Sequence, residues 1–82
     1  MLKQETKYTQ FDEERNTLYI YSDVMLPKIT TTNVKHAKRM MREAFELSYE
    51  ERIEKFSSPE AKAIIKESLA KHSGCKISEY TY

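Results

Sequence analysis

The amino-acid sequence predicts an α+β fold made of an N-terminal β-hairpin, three helices and a C-terminal strand. Three observations lead to this prediction. β-Forming side chains are frequent between residues 5 and 24, apolar residues recur at helical spacing from 34 to 69, and the last eight residues, CKISEYTY, alternate again. We expect the C-terminal strand to complete a small antiparallel sheet, in the order β-β-α-α-α-β, within one small domain spanning residues 1–82.

The hairpin is predicted from two segments, ETKYTQF at 5–11 and TLYIYSDV at 17–24, which are rich in Thr, Tyr, Phe, Ile and Val. The polar loop DEERN joins them and ends at Asn16, a residue type that tolerates left-handed turn conformations. Because side chains alternate along a strand, Leu18 and Ile20 share the face that we expect to be buried.

Capping residues predict where the three helices begin. TTTN at 30–33 supplies N-caps for the first helix, and the pair Ser48 and Glu51 matches a capping box at the second. SSPE at 57–60 begins the third helix, and Gly74 lies beyond its end, where a positive φ is needed. The residues expected to face the core are Val34, Ala37, Met41, Ala44, Phe45 and Ser48 in the first helix, Tyr49, Ile53 and Phe56 in the second, and Ala61, Ile64, Ile65, Ser68 and Leu69 in the third.

Charge is strongly segregated along a chain whose net charge is only +1. Residues 24–42 carry a net charge of +5, whereas residues 43–60 carry −4. In the first helix four cations stand at i, i+3, i+4 and i+7, which places them on one side: Lys35, Lys38, Arg39 and Arg42. Lys28 extends this patch. Like charges at these spacings repel and the positive end of the helix dipole disfavours cations, so helix stability does not explain them.

Two interpretations of the basic patch are open. It is either a solvated surface, paired in part with the acidic run of Glu43, Glu46, Glu50, Glu51 and Glu54, or a site that meets an anion from another molecule. Nucleic-acid phosphates and an acidic protein surface are the candidate anions. Four or five phosphate contacts bind weakly, and the sequence has no zinc-finger spacing, Gly-rich KH loop or RNA-recognition aromatic motif, so we do not expect a stand-alone sequence reader.

Tyrosines form a second candidate surface. Tyr19 and Tyr21 point away from the predicted core, and Tyr80 and Tyr82 share one face of the terminal strand. If the strands pair with these faces aligned, a tyrosine cluster covers the side of the sheet away from the helices. Such a cluster fits a protein interface, a self-association surface or base stacking, and equally a half-exposed strand with no partner.

No constellation of residues predicts catalysis or a cofactor. His72 and Cys75 in HSGC offer two ligands where structural zinc takes four, and the chain has no other cysteine. His36 is expected at the helix surface, and a single glycine rules out a phosphate-binding glycine loop. We therefore expect a binding protein that is not an enzyme and that uses no metal or cofactor.

The sequence also suggests a cytoplasmic location and no membrane partner. No stretch approaches the roughly 18 apolar residues of a membrane span, and the first five residues lack the apolar run of a secretory signal. The lone cysteine fits a reducing compartment.

The chain is short and rich in Lys, Glu and Tyr, with one Gly, one Cys and no Trp. In this general character, without a shared motif, it resembles the small accessory proteins of tailed phages. The resemblance implies an antitoxin-like inhibitor of a host enzyme or defence factor, such as a nuclease or toxin, acting in the host cytoplasm with RNA as a further component of the complex. The alternatives are a nucleic-acid-binding regulator without an enzyme target and a structural homo-oligomer.

Overall fold

The computed structural model describes residues 2–81 and contains four strands and three α-helices. The strands are β1 (Leu2–Gln4), β2 (Thr9–Asp12), β3 (Thr17–Tyr21) and β4 (Lys76–Tyr80). A 3₁₀ helix at Ser22–Met25 follows β3, and the α-helices are α1 (Val34–Phe45), α2 (Tyr49–Phe56) and α3 (Pro59–Lys71). The predicted α+β class is confirmed, and the predicted order is found with one additional strand, β1, at its start.

The sheet is mixed, so the prediction of a purely antiparallel sheet was wrong. Its spatial order is β1-β2-β3-β4, with antiparallel pairing between β1 and β2 and between β2 and β3. β4 pairs with β3 in parallel, with Leu18 opposite Ile77 and Tyr21 opposite Tyr80. The chain leaves β3, passes through all the helices and returns to the starting end of β3, and a crossover of this kind makes the two strands parallel.

The hairpin turn has the backbone conformation predicted for it. Asn16 adopts a φ of 49°, and its N–H donates to the carbonyl of Glu13 at 3.3 Å. The first hairpin strand is shorter than predicted, because residues 5–8 form a turn in which the Thr6 hydroxyl accepts from the N–H groups of Tyr8 and Thr9. All three residues of β1 are exposed, so this edge strand has no alternating pattern by which it could be recognised.

The core lies between one face of the sheet and the helices that follow it. It consists of Phe11, Leu18 and Ile20 from the sheet, Met25 from the 3₁₀ helix, Ile53 from α2 and Ile65 from α3. Leu18 and Ile20 are fully buried, as their alternation predicted. The aliphatic side chains of the two best-packed helices therefore cover the centre of the sheet.

The caps of α2 and α3 are those predicted. The Ser48 hydroxyl accepts from the Glu51 N–H, and the Glu51 carboxylate accepts from the Ser48 N–H, which completes a capping box. At α3 the Ser58 hydroxyl accepts from Ala61 N–H at 3.2 Å. Gly74 has the expected positive φ of 83°, three residues past the end of the helix.

The predicted inward faces of α2 and α3 are largely confirmed. Ile53, Ala61, Ile65 and Ser68 are buried, and the remaining members are half-buried: Tyr49, Phe56, Ile64 and Leu69.

The predicted inward face of α1 was mostly wrong. Of the twelve residues of α1 only Ala44 is buried, whereas Val34 is 64% exposed and Phe45 is 54% exposed. The core cluster contains residues of the sheet, the 3₁₀ helix, α2 and α3 but none of α1. Four short strands offer a small apolar face, and α2 and α3 already cover it, so α1 lies at the margin of the core.

Candidate partner-binding surface on α1

Helix α1 presents its cations away from the protein interior. Asn33 caps the helix by accepting from the His36 N–H at 3.2 Å. At 100° per residue, the four cations occupy an arc about 100° wide, and the buried Ala44 lies about 180° from its centre. We call this set the basic arc: Lys35, Lys38, Arg39 and Arg42. All four are exposed, as is Lys28 in the segment before the helix.

Among residues 2–81, none of these five cations takes part in an ion pair. The carboxylates near α1 that form ion pairs bind other cations, since Glu54 binds Lys62 and Lys66. Glu51 serves the α2 cap, and Glu79 binds Arg52. Within residues 2–81, the acidic run from Glu43 to Glu54 forms no ion pair with the basic arc, and the arc leaves its charge available to another molecule.

An exposed apolar strip borders the basic arc. Val34 and Phe45 lie on the same side of α1, next to Lys38, and the half-buried Met41 lies between them. Met41 also lines a groove of about 640 Å³, whose other walls come mainly from residues 23–29 and from the junction of α2 and α3. Cationic and apolar surface are thus adjacent on the helix.

A buried arginine, which was not predicted as a site residue, packs beneath the Phe45 end of this surface. Arg52 is 3% exposed, and its guanidinium lies 4.9 Å from the ring centre of Phe45 and 5.6 Å from that of Tyr49. Its Nε donates to the carbonyl of Met25, and its NH2 group lies 3.1 Å from the Glu79 carboxylate. The residue could have been found from its position, because it shares the inward side of α2 with Tyr49 and Phe56.

The tyrosines are only partly brought together. Tyr21 and Tyr80 lie opposite each other, with ring centres 5.7 Å apart, whereas Tyr19 lies opposite Ser78. Tyr19 and Tyr21 alternate with the buried Leu18 and Ile20, so they lie on the sheet face turned away from the core. Tyr82 lies outside the described residues. The three described tyrosines are half-buried, and Tyr80 lines a pocket together with Phe45 of α1.

A separate polar cluster joins the β1–β2 turn to the end of α3. His72 stacks on Phe11 with ring centres 3.7 Å apart, and its Nε2 shares a hydrogen bond with the Glu5 carboxylate. Burial raises the pKa of Glu5, but the hydrogen bonds and positive charges of His72 and Lys71 outweigh it and hold the pKa below 4.5. This cluster ties the N-terminal segment to the helical layer.

The other candidate ligands do not converge. His36 is exposed on α1, and Cys75 is a half-buried free thiol beside the core. Within residues 2–81, no three His, Cys, Asp or Glu side chains are grouped so that they could share a metal ion.

None of the helices within residues 2–81 combines the length and apolar character needed to cross a bilayer. No known family model matches the chain, and neither a curated protein nor a solved structure shows significant similarity to it.

Proposed function

We propose that this protein is a noncatalytic binding protein that places the basic arc of α1 against an anionic surface of a protein partner and inhibits that partner. The observation that carries the proposal is that Lys35, Lys38, Arg39 and Arg42 lie together on one exposed side of a helix and form no ion pair with a carboxylate within residues 2–81. Like charges concentrated in this way repel, and an external anion relieves the repulsion.

A protein surface fits this helix better than nucleic acid does. Phosphates would engage the cations but leave the exposed Val34 and Phe45 in water, whereas a protein surface can cover both kinds of side chain. The chain carries a net charge of only +1, and the tyrosines that could stack bases are half-buried. The resemblance to phage accessory proteins suggests a host enzyme or defence factor as the partner.

The test compares two triple variants of equal charge by capture from a host-cell lysate, with and without nuclease. One variant reverses three cations of the basic arc, and the other reverses three exposed lysines elsewhere: Lys35→Glu, Lys38→Glu and Arg42→Glu against Lys3→Glu, Lys55→Glu and Lys76→Glu. We expect the wild type and the control to retain the same protein after nuclease treatment, and the arc variant to lose it.

The captured enzyme or toxin is then assayed with added protein, and we expect its activity to fall with the wild type and not with the arc variant. Capture that nuclease abolishes would favour the nucleic-acid regulator. Equal capture by both triple variants would contradict the role of the arc. A homo-oligomer that dissociates on changing Tyr19, Tyr21 or Tyr80, and not on reversal of the arc, would favour the structural alternative.

A further inference from the structure

We infer that the partner segment contacting α1 is an acidic amphipathic helix, which packs lengthwise on an apolar strip beside the basic arc. This inference rests on the proposed function and adds the shape and chemistry of the partner. The strip consists of Val34, Met41 and Phe45. Lys38 of the basic arc lies between Val34 and Met41 along the helix, so the four positions have the spacing of four, three and four residues that is typical of a helix–helix seam.

The strip is exposed at its two ends, Val34 and Phe45, and half-buried at Met41 between them. Lys38 is exposed beside it. The eleven steps from first to last residue span about 16 Å, so a partner helix of about twelve residues would cover it. Phe45 is already held in place by the Arg52 guanidinium beneath its ring.

The groove beside Met41 would accept an apolar side chain from such a helix. Its walls include Leu26, Pro27, Ile29 and Phe56, and its volume is about 640 Å³. The two serine hydroxyls in its wall are used internally, because the Ser57 hydroxyl donates to the Val24 carbonyl at 2.6 Å and the Ser58 hydroxyl accepts from Ala61 N–H. Lys28 lies in the same wall and forms no ion pair within residues 2–81, so an apolar side chain flanked by a carboxylate fits the groove.

Charge decides between an acidic partner and a second copy of this chain. Two copies meeting along the strip in antiparallel orientation would place Lys35 and Arg42 of each copy on a shared flank, and in parallel orientation Lys38 would meet its own equivalent. Both arrangements bring like charges together. A helix with Asp or Glu beside its apolar positions would instead neutralise the flank.

The test uses two fluorescent 18-residue peptides of identical acidic composition, one with its leucines on a single helical side and one with the leucines scrambled. Poly-glutamate and a single-stranded RNA oligonucleotide serve as further probes. Fluorescence anisotropy is measured with the wild type, with the arc triple variant and with a strip variant, Val34→Ser with Phe45→Ser. Circular dichroism checks that the variants are folded.

We expect the amphipathic peptide to bind the wild type at least about tenfold more tightly than the scrambled peptide. The strip variant should lose this preference but should still bind poly-glutamate. Equal binding of both peptides to the wild type would overturn the helix inference and leave the proposed function standing. If no acidic probe binds, or if only RNA binds, the proposed function fails. A wild-type dimer in sedimentation that the strip variant abolishes would overturn the inference in favour of a second copy.

Discussion

The buried arginine of α2 should be the most important polar residue for stability. Arg52 is 3% exposed and lies 3.1 Å from a Glu79 carboxylate that is 29% exposed. The Ser22 hydroxyl also donates to this carboxylate, and the Arg52 Nε donates to the Met25 carbonyl, so one guanidinium connects α2, the 3₁₀ helix and β4. Truncation of Arg52 removes these contacts, so the Met25 carbonyl loses this donor and the Glu79 carboxylate keeps the Ser22 hydroxyl but loses its cationic partner.

The size of the effect follows from this burial. Breaking a buried pair costs about 3–5 kcal/mol, and because Glu79 is partly exposed we expect Arg52→Ala to cost about 3 kcal/mol. A chain of 82 residues has a total stability of about 4–12 kcal/mol. Since 1 kcal/mol shifts the midpoint of a domain this size by about 4–8 °C, Tm should fall by about 12–24 °C.

The assay is urea unfolding followed by circular dichroism and tyrosine fluorescence, with Lys66→Ala as the matched control. The Lys66–Glu54 pair has the same 3.1 Å separation, but its side chains are 57% and 62% exposed. Solvent screens such a pair, so the control should shift the unfolding midpoint far less. The reasoning is refuted if Arg52→Ala and Lys66→Ala lower the midpoint equally. The double variant Arg52→Met with Glu79→Gln should lose less free energy of unfolding than the two single variants lose in sum.

Three further predictions concern local elements. Ser48→Ala should cost about 1 kcal/mol, measured by urea unfolding, because it removes the side-chain half of the α2 capping box; an unchanged midpoint would contradict this. At Asn16, whose φ is 49°, substitution by Ala should cost about 1 kcal/mol and substitution by Gly less than half of that, and the opposite ranking would show that the turn has another conformation. The pKa of Glu5 is lowered in the folded protein, so its contribution to stability is present above the unfolded value of 4.5 and is lost as pH falls through the folded value. The stability difference between wild type and Glu5→Gln should therefore shrink below about pH 4.5, as measured by urea midpoints from pH 3 to 6, and a difference independent of pH would contradict the Glu5–His72 contact.

The local signals in the sequence were sufficient for the elements that depend on nearby residues. Asn16 at the hairpin turn, the capping box at Ser48 and the Ser58 cap all appear as predicted, because each depends on hydrogen bonds or φ preferences within a few residues. The alternation of Leu18 and Ile20 identified the buried face of the sheet for the same reason.

The direction of β4 could not be deduced in this way. Alternation in the last residues indicates a strand, but its pairing depends on the path of a long connection through three helices, and that path is determined by packing. Similarly, β1 is recognisable only through its pairing with β2, since its side chains are all exposed.

The spacing of the cations on α1 was visible in the sequence, because helical geometry alone places Lys35, Lys38, Arg39 and Arg42 on one side. Which other side of α1 is buried depends on how the three helices share the small apolar face of the sheet. Since α2 and α3 occupy that face, Val34 and Phe45 remain exposed beside the cations instead of entering the core. Amphipathic spacing shows that a helix has an apolar side, but only the three-dimensional packing determines whether this chain covers that side itself.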